Sequence, residues 1–466
     1  MDDYGKARTL AETDRNHLWH PFTQMREWSR ETPLIIERGE GNYLVDIEGK
    51  HYLDGVSSIW CNVHGHRKKE LDDALKAQTD RIAHATLLGI ANVPSIELAG
   101  RLAAIAPKGL TRVFYSDNGS TAVEVALKMA FQYWQQVDDR EASRRKTRFV
   151  SFYNAYHGDT IGAVSLGGID LFHAMYRPLL FSTFKVASPY CYRCPFGKEY
   201  AACEATGQLA CVDAVDEVLR ENHEDIAGLI IEPLIQAAAG MLTSPPGYLR
   251  AVRTLCSKYD VLMIADEVAT GFGKSGAMFA CDREGISPDL MAISKGITGG
   301  YMPLAATLAT ERIYEAFLGE YEEFKTFFHG HTYTGNPLGC AIALANLDLF
   351  ENERLIDRLQ SKIALFVELL EGLKVHPHVG EIRQCGVMVG VELVQDKASK
   401  EPYPLTDRIG HKVCMEMRKG GIILRPLGNV IVMMPPLSIR EDELKLMVTT
   451  AGQAIGTVCC RQDLTP

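Results

Sequence analysis

Short, continuous apolar runs alternate with amphipathic stretches through the middle of this chain. RVFYS (112–116), RFVSF (148–152), GLIIEP (228–233) and VLMIADE (261–267) are the clearest runs. They are four to eight residues long and apolar on both faces, as expected of strands buried inside a sheet. Between them, TAVEVALKMAFQYW (121–134) and LRAVRTLCSKY (249–259) repeat apolar residues at helical spacing. Buried strands separated by helices predict an α/β fold with a parallel sheet covered on both faces. The polar stretch QQVDDREASRRKTR (135–148) predicts a solvated helix end and a loop. From about Glu351 helix and strand patterns mix again. The expected organisation is an N-terminal segment (1–75) and a C-terminal part (351–466) sharing a small domain, around a large domain (76–350).

Composition narrows the function classes. The chain has 466 residues, 46% hydrophobic and 23% charged, with a formal charge of −10. That balance fits a soluble globular protein and argues against nucleic acid or an anionic membrane as the main partner. The first residues, MDDYGKARTLAETDRNH, lack the apolar core of a secretory signal, and no apolar run is long enough to span a bilayer. Twelve cysteines without such a signal predict reduced thiols and a cytoplasmic setting.

Candidate chemistry gathers where strands are predicted to end. In DLMAISKGITGGYMPLA (289–305), Lys295 is the only charged residue after Asp289. It reads either as a surface or snorkelling lysine or as a buried amine of lowered pKa, hence a nucleophile. In YSDNGSTAVEV, Gly119 and Ser120 open a helix whose free N–H groups suit a phosphate, although an ordinary Ser/Thr cap has the same pattern. Asp266 and Glu267 follow five apolar residues, and Tyr156 and His157 precede Gly158. The carboxylates read as a site or a helix cap, and the aromatic pair as a site or core packing. Together, a phosphate cradle, an aromatic face, a strand-end carboxylate and a lone lysine match what pyridoxal phosphate requires.

Over ADEVATGFGKSGAMFACDREGISPDLMAISKGITGGYMP the chain resembles the class III pyridoxal-phosphate-dependent aminotransferases, and the likeness extends from about Trp19 to about Pro436. The resemblance implies PLP fold type I, with a mostly parallel, seven-stranded-type sheet, a small α+β domain from both termini, and a homodimer with sites at the subunit interface. It implies that Lys295 forms the Schiff base and serves as acid and base, that Asp266 faces the ring nitrogen, and that Gly119 and Ser120 hold the phosphate. It further implies that Tyr156 stacks on the ring and that Thr332, in HGHTYTGNP, reaches the phosphate of the neighbouring subunit.

HLWHPFTQM (17–25) and SSIWCNVHGHRKKELDDAL (57–75) resemble the family's biotin-pathway branch, which aminates 8-amino-7-oxononanoate. That resemblance places Trp60, Gly330 and Arg425 beside the substrate. A guanidinium suits the remote carboxylate of a long keto acid, and a Trp wall suits its methylenes; a surface ion pair and core packing are the other readings. Members using S-adenosylmethionine usually carry Tyr where this chain has Phe22, and HPFTQM resembles the branch that takes its amino group from lysine. Two further readings are an ω-amino acid:pyruvate aminotransferase and a metal-binding scaffold. The second rests on Cys191, Cys194, Cys203 and Cys211, whose spacing suits zinc, an iron–sulfur centre, or a loop of reduced thiols.

Overall fold

The computed structural model describes residues 3–138 and 140–462. Its centre is a seven-stranded sheet in the order Leu110–Ser116, Ala305–Thr310, Leu290–Ile293, Leu262–Asp266, Ile226–Ile231, Arg148–Phe152, Phe184–Val186. Ala305–Thr310 runs antiparallel to both neighbours, and the remaining neighbour pairs are parallel. The sheet is therefore mostly parallel, as the apolar runs predict.

Alternation along the strands explains why these runs are apolar on both faces. Phe149, Ile230, Leu262, Ile264 and Leu290 pack with Ala122, Ala126, Ala130 and Trp134 of the helix Gly119–Gln136 on one side. Val150, Leu229, Met263 and Ile293 pack on the other side with Leu98, Leu219, Val252 and Leu347, from four different helices. Truncating one such residue, as in Ile230→Ala, would cost about 2–5 kcal/mol, since its face cannot fully collapse.

The two ends of the chain meet in a smaller sheet, where Ile422–Ile423 pairs parallel with His51–Asp54 beside Tyr43–Asp46 and Ile36–Glu40. An antiparallel sheet, Val379–Cys385, Met388–Asp396, Val430–Met433 and Arg425–Leu427, shares a second core with the helices Leu355–Lys374 and Glu441–Gln462. The polar stretch after Gln136 departs from its expectation, because Glu141–Arg144 forms a short helix. Asp138 accepts from the Arg140 N–H and the Ser143 hydroxyl there, a local polar device that apolar periodicity does not register. Among the described residues, no helix is long and apolar enough to cross a membrane.

Candidate active site

A cleft of about 730 Å³ opens where the parallel strands end, the usual ligand position in such sheets. Its lining includes Trp60, Gly119, Ser120, Tyr156, Asp266 and Lys295, six of the residues singled out in the sequence. They come from five separate segments of the chain that the fold brings together at the mouth of the sheet.

Lys295 follows the strand Leu290–Ile293 and adopts φ 47°, a strained conformation for a residue with a side chain. Its Nζ sits 5.3 Å from the centroid of the Trp60 ring and has no hydrogen-bond partner among the described residues. Burial pushes its pKa down, while Asp266, Glu232 and Cys61 pull it back up. A buried amine with no hydrogen-bond partner, facing the cleft, suits a nucleophile, so of the two readings of this lysine the geometry favours the second.

Asp266 ends the strand Leu262–Asp266 and is 5% exposed. Its Oδ2 lies 2.7 Å from His157 Nδ1, and its Oδ1 accepts from the Val268 N–H at 3.1 Å. Glu267 is spent elsewhere, accepting from Thr270 and from the N–H groups of Ala280 and Cys281 at a helix start. The adjacent carboxylates thus divide into one facing the cleft and one capping a helix.

The turn before the helix Gly119–Gln136 is capped by Asn118, which accepts from the Thr121 N–H at 3.0 Å. The cap leaves the Gly119 and Ser120 N–H groups without a partner among the described residues, so cap and anion site coexist. The turn is also tight. A Cβ on Gly119 would meet Val268 at 2.5 Å, and one on Gly158 (φ +123°) would meet Ser120 Oγ at 2.3 Å. Tyr156 donates from its hydroxyl to Asp159 at 2.7 Å. Burial first, and Asp159 second, raise its pKa, keeping the phenol neutral.

Trp60 reaches the cleft on a left-handed turn in which Ser57, Ser58, Ile59 and Trp60 all have positive φ. Such strain persists only where surroundings fix it. Here Asp54 accepts from the Ser58 N–H and hydroxyl, and Lys274 Nζ donates to Ser57 Oγ, to Asn62 O and to Pro435 O.

Phe22, Gly330, Thr332 and Arg425 lie outside the cleft lining and are exposed. The Phe22 ring packs edge-on against Phe172 at 5.4 Å, and Phe172 packs edge-on against Tyr156 at 6.3 Å. Arg425 has no ion pair among the described residues. Val432, opposite Arg425 in the strand pair, and Leu427, two residues further on, belong to a cluster containing Trp60. Alternation therefore sets Arg425 on the Trp60 side of its strand. Gly330 and Thr332 occupy a loop that also exposes Phe328 and Tyr333.

The sequence reading passed over Glu232. It follows the apolar strand Ile226–Ile231 and lines the cleft, and its signal, a carboxylate after an apolar run, is the one that marked Asp266. Cys191, Cys194, Cys203 and Cys211 are free and line one small cavity with Tyr190 and Phe196. Among the described residues no group of three or more His, Cys, Asp or Glu is arranged to hold a metal ion.

Comparison with known proteins gives one family. The profile described as "Aminotransferase class-III" matches residues 24–455. An adenosylmethionine-8-amino-7-oxononanoate aminotransferase of Geobacter sulfurreducens is 58% identical over 458 residues, 98% of this chain and 99% of the relative. The enzyme of that name from Aquifex aeolicus is 52% identical over 96% of this chain and 97% of its own length. Among solved structures, the Methanocaldococcus jannaschii protein of the same name superposes with TM-score 0.91 at 47% identity, covering 97% of this chain and 99% of that one. An (S)-enantioselective omega-transaminase from Thermomicrobium roseum superposes with TM-score 0.90 at 36% identity, covering 97% and 98%.

Proposed function

This chain is a class III aminotransferase, and we propose that it converts 8-amino-7-oxononanoate to 7,8-diaminononanoate with S-adenosylmethionine or lysine as amino donor. Relatives at 46–58% identity over nearly the whole chain carry that activity in their names, and this is the observation that carries the reading. The omega-transaminases are similar at lower identity, 32–36%.

Class III aminotransferases use pyridoxal phosphate, which when bound supplies an aldehyde for amines and an electron-accepting ring. The residues of the cleft fit it. The unpartnered N–H groups of Gly119 and Ser120 suit its phosphate, and Gly119 and Gly158 let this turn pack closely against Val268 and Ser120, where a Cβ would clash. Tyr156 offers a face to the ring, Asp266 a carboxylate to its nitrogen, and Lys295 an amine without a competing hydrogen bond. In this reading Lys295 would hold the cofactor through its Nζ. The same Nζ would take a proton from the donor α-carbon and return one to the former carbonyl carbon of the keto acid. Trp60 packs on the methylene chain, Gly330 lies beside the substrate, and Arg425 receives the remote carboxylate.

A homodimer completes the site in this proposal. Leu88, Ile90, Phe328 and Tyr333 are 88%, 59%, 73% and 60% exposed. Tyr333 packs on His84, and Leu87 lies against Gly335, so these segments adjoin. An apolar surface of this kind suits burial against a second copy, which would bring Thr332 to the partner's phosphate. The twelve cysteines suit a reducing, cytoplasmic setting.

The test is a screen on purified protein, pairing lysine or S-adenosylmethionine with 8-amino-7-oxononanoate, and an ω-amino acid with pyruvate. Formation of 7,8-diaminononanoate is expected. Turnover with pyruvate alone would move the chain to the omega-transaminase reading.

A further inference from the structure

Lys274 follows the strand Leu262–Asp266 by eight residues and is fully buried; among the described residues it forms no ion pair. Its Nζ donates to Ser57 Oγ at 2.7 Å, to Pro435 O at 2.9 Å and to Asn62 O at 3.0 Å. The Ser57 hydroxyl spends its own proton on Met434 O, so towards the lysine it accepts. Two carbonyls and this oxygen take all three protons of an ammonium. A buried charge without a counter-ion is costly, and these three bonds are what offset the cost. The acceptors come from distant parts of the chain. Ser57 and Asn62 bracket the left-handed turn Ser57–Trp60, whose φ angles run from 48° to 71°, and Met434 and Pro435 follow the strand Val430–Met433. The Lys274 carbonyl in turn accepts from the Val387 N–H at 3.0 Å.

We propose that Lys274 is a positioning residue for Trp60: its three hydrogen bonds hold the strained turn that presents the indole to the cleft, 5.3 Å from Lys295 Nζ. The inference rests on Trp60 packing against the methylene chain of the keto acid. None of the four residues with positive φ is a glycine, so the turn is disfavoured by its own residues and depends on what surrounds it. Without the ammonium, Ser57 Oγ still reaches Met434 O and Asp54 still holds Ser58, but Ser57, Asn62 and Pro435 lose their common partner. The Trp60 ring then shifts from the place where it covers the substrate. Contacts made equally in the bound and reacting states raise KM when lost and leave kcat nearly unchanged.

The experiment is a double-mutant cycle on the full-length, cofactor-loaded enzyme: wild type, Lys274→Met, Trp60→Ala and the pair, with 8-amino-7-oxononanoate varied at saturating donor. Lys274→Met should raise KM for the keto acid roughly three- to ten-fold, the scale of one displaced aromatic wall, with kcat held within about two-fold. In the Trp60→Ala background the same change should add almost nothing, because residues that act as one unit are not additive. Ser57→Ala, which removes one acceptor and keeps the lysine, should move KM the same way by less, and it stands in if Lys274→Met does not fold. Acrylamide quenching of Trp60 emission, taken as the difference from Trp60→Phe, should rise in both variants and reads the turn whichever ketone is accepted. Unchanged KM or unchanged quenching in folded Lys274→Met, or in Ser57→Ala where Lys274→Met fails to fold, would overturn the inference while leaving Trp60 as the substrate wall. So would a full further rise in KM on top of Trp60→Ala. An unchanged KM in Trp60→Ala itself would overturn the wall and the inference together.

Discussion

His157 Nδ1 and Asp266 Oδ2 stand 2.7 Å apart, with both side chains buried. Each comes from a different strand end: His157 follows Arg148–Phe152, and Asp266 closes Leu262–Asp266. The imidazole protonated at Nδ1 donates to the carboxylate and fixes its orientation toward the cleft. His157 Nε2 has no partner among the described residues, so Asp266 is the group this imidazole serves.

Replacing the carboxylate should therefore remove the electron sink while leaving the fold intact. Asp266→Asn is expected to retain cofactor but lose about 10²-fold or more in single-turnover rate, the usual scale for a positioned proton-holding group. His157→Phe should fall between that variant and the wild type. Stopped-flow measurement of the first half-reaction with saturating amine decides this, and wild-type rates in Asp266→Asn would remove the role.

Gly158→Ala tests the phosphate turn. The new Cβ would lie 2.3 Å from Ser120 Oγ at φ +123°, a backbone region costing on the order of 1–3 kcal/mol for a residue with a side chain. The melting temperature should fall, and cofactor titration should show weaker retention. Unchanged cofactor affinity would place the phosphate elsewhere.

Arg425→Ala separates the two substrates. The expected outcome is a rise of ten-fold or more in KM for 8-amino-7-oxononanoate with little change for the donor, since one charge-assisted pair contributes about 1.5–3 kcal/mol. Steady-state kinetics varying each substrate in turn measures it. Equal effects on both would contradict a carboxylate-specific role.

Phe22→Tyr tests the donor. Phe22 touches Phe172, and Phe172 touches Tyr156, so a hydroxyl at position 22 changes the polarity of an aromatic wall leading to the cleft. Free lysine is expected to serve the wild type as donor, and Phe22→Tyr should shift the ratio of kcat/KM toward S-adenosylmethionine. Lysine inert in the wild type even at high concentration would return the chain to the S-adenosylmethionine branch.

Much of the sheet was legible because burial on both faces writes continuous apolar runs. RFVSF matches its strand, VLMIADE exceeds its strand by one residue at each end, and RVFYS misses the first two residues of its own. The reversed strand Ala305–Thr310 was not legible: AATLAT is small and mixed, and strand direction leaves no trace in periodicity. Within the cleft, residues in local motifs, such as Gly119 and Lys295, could be picked out. Glu232 carried the signal of Asp266, yet its tie to Tyr156 spans 76 residues. The Phe22–Phe172 contact is likewise invisible until the chain is folded, since it joins an N-terminal loop to a four-residue helix.

The central claim is that amino transfer occurs in the cleft around Lys295. Borohydride reduction of the purified, cofactor-loaded protein, followed by peptide mapping, tests it most directly. The account predicts a single pyridoxyl label on Lys295, and loss of that label when saturating amine donor is added before the reductant. A label on any other lysine, Lys274 included, or a Lys295 label indifferent to the donor, would contradict it.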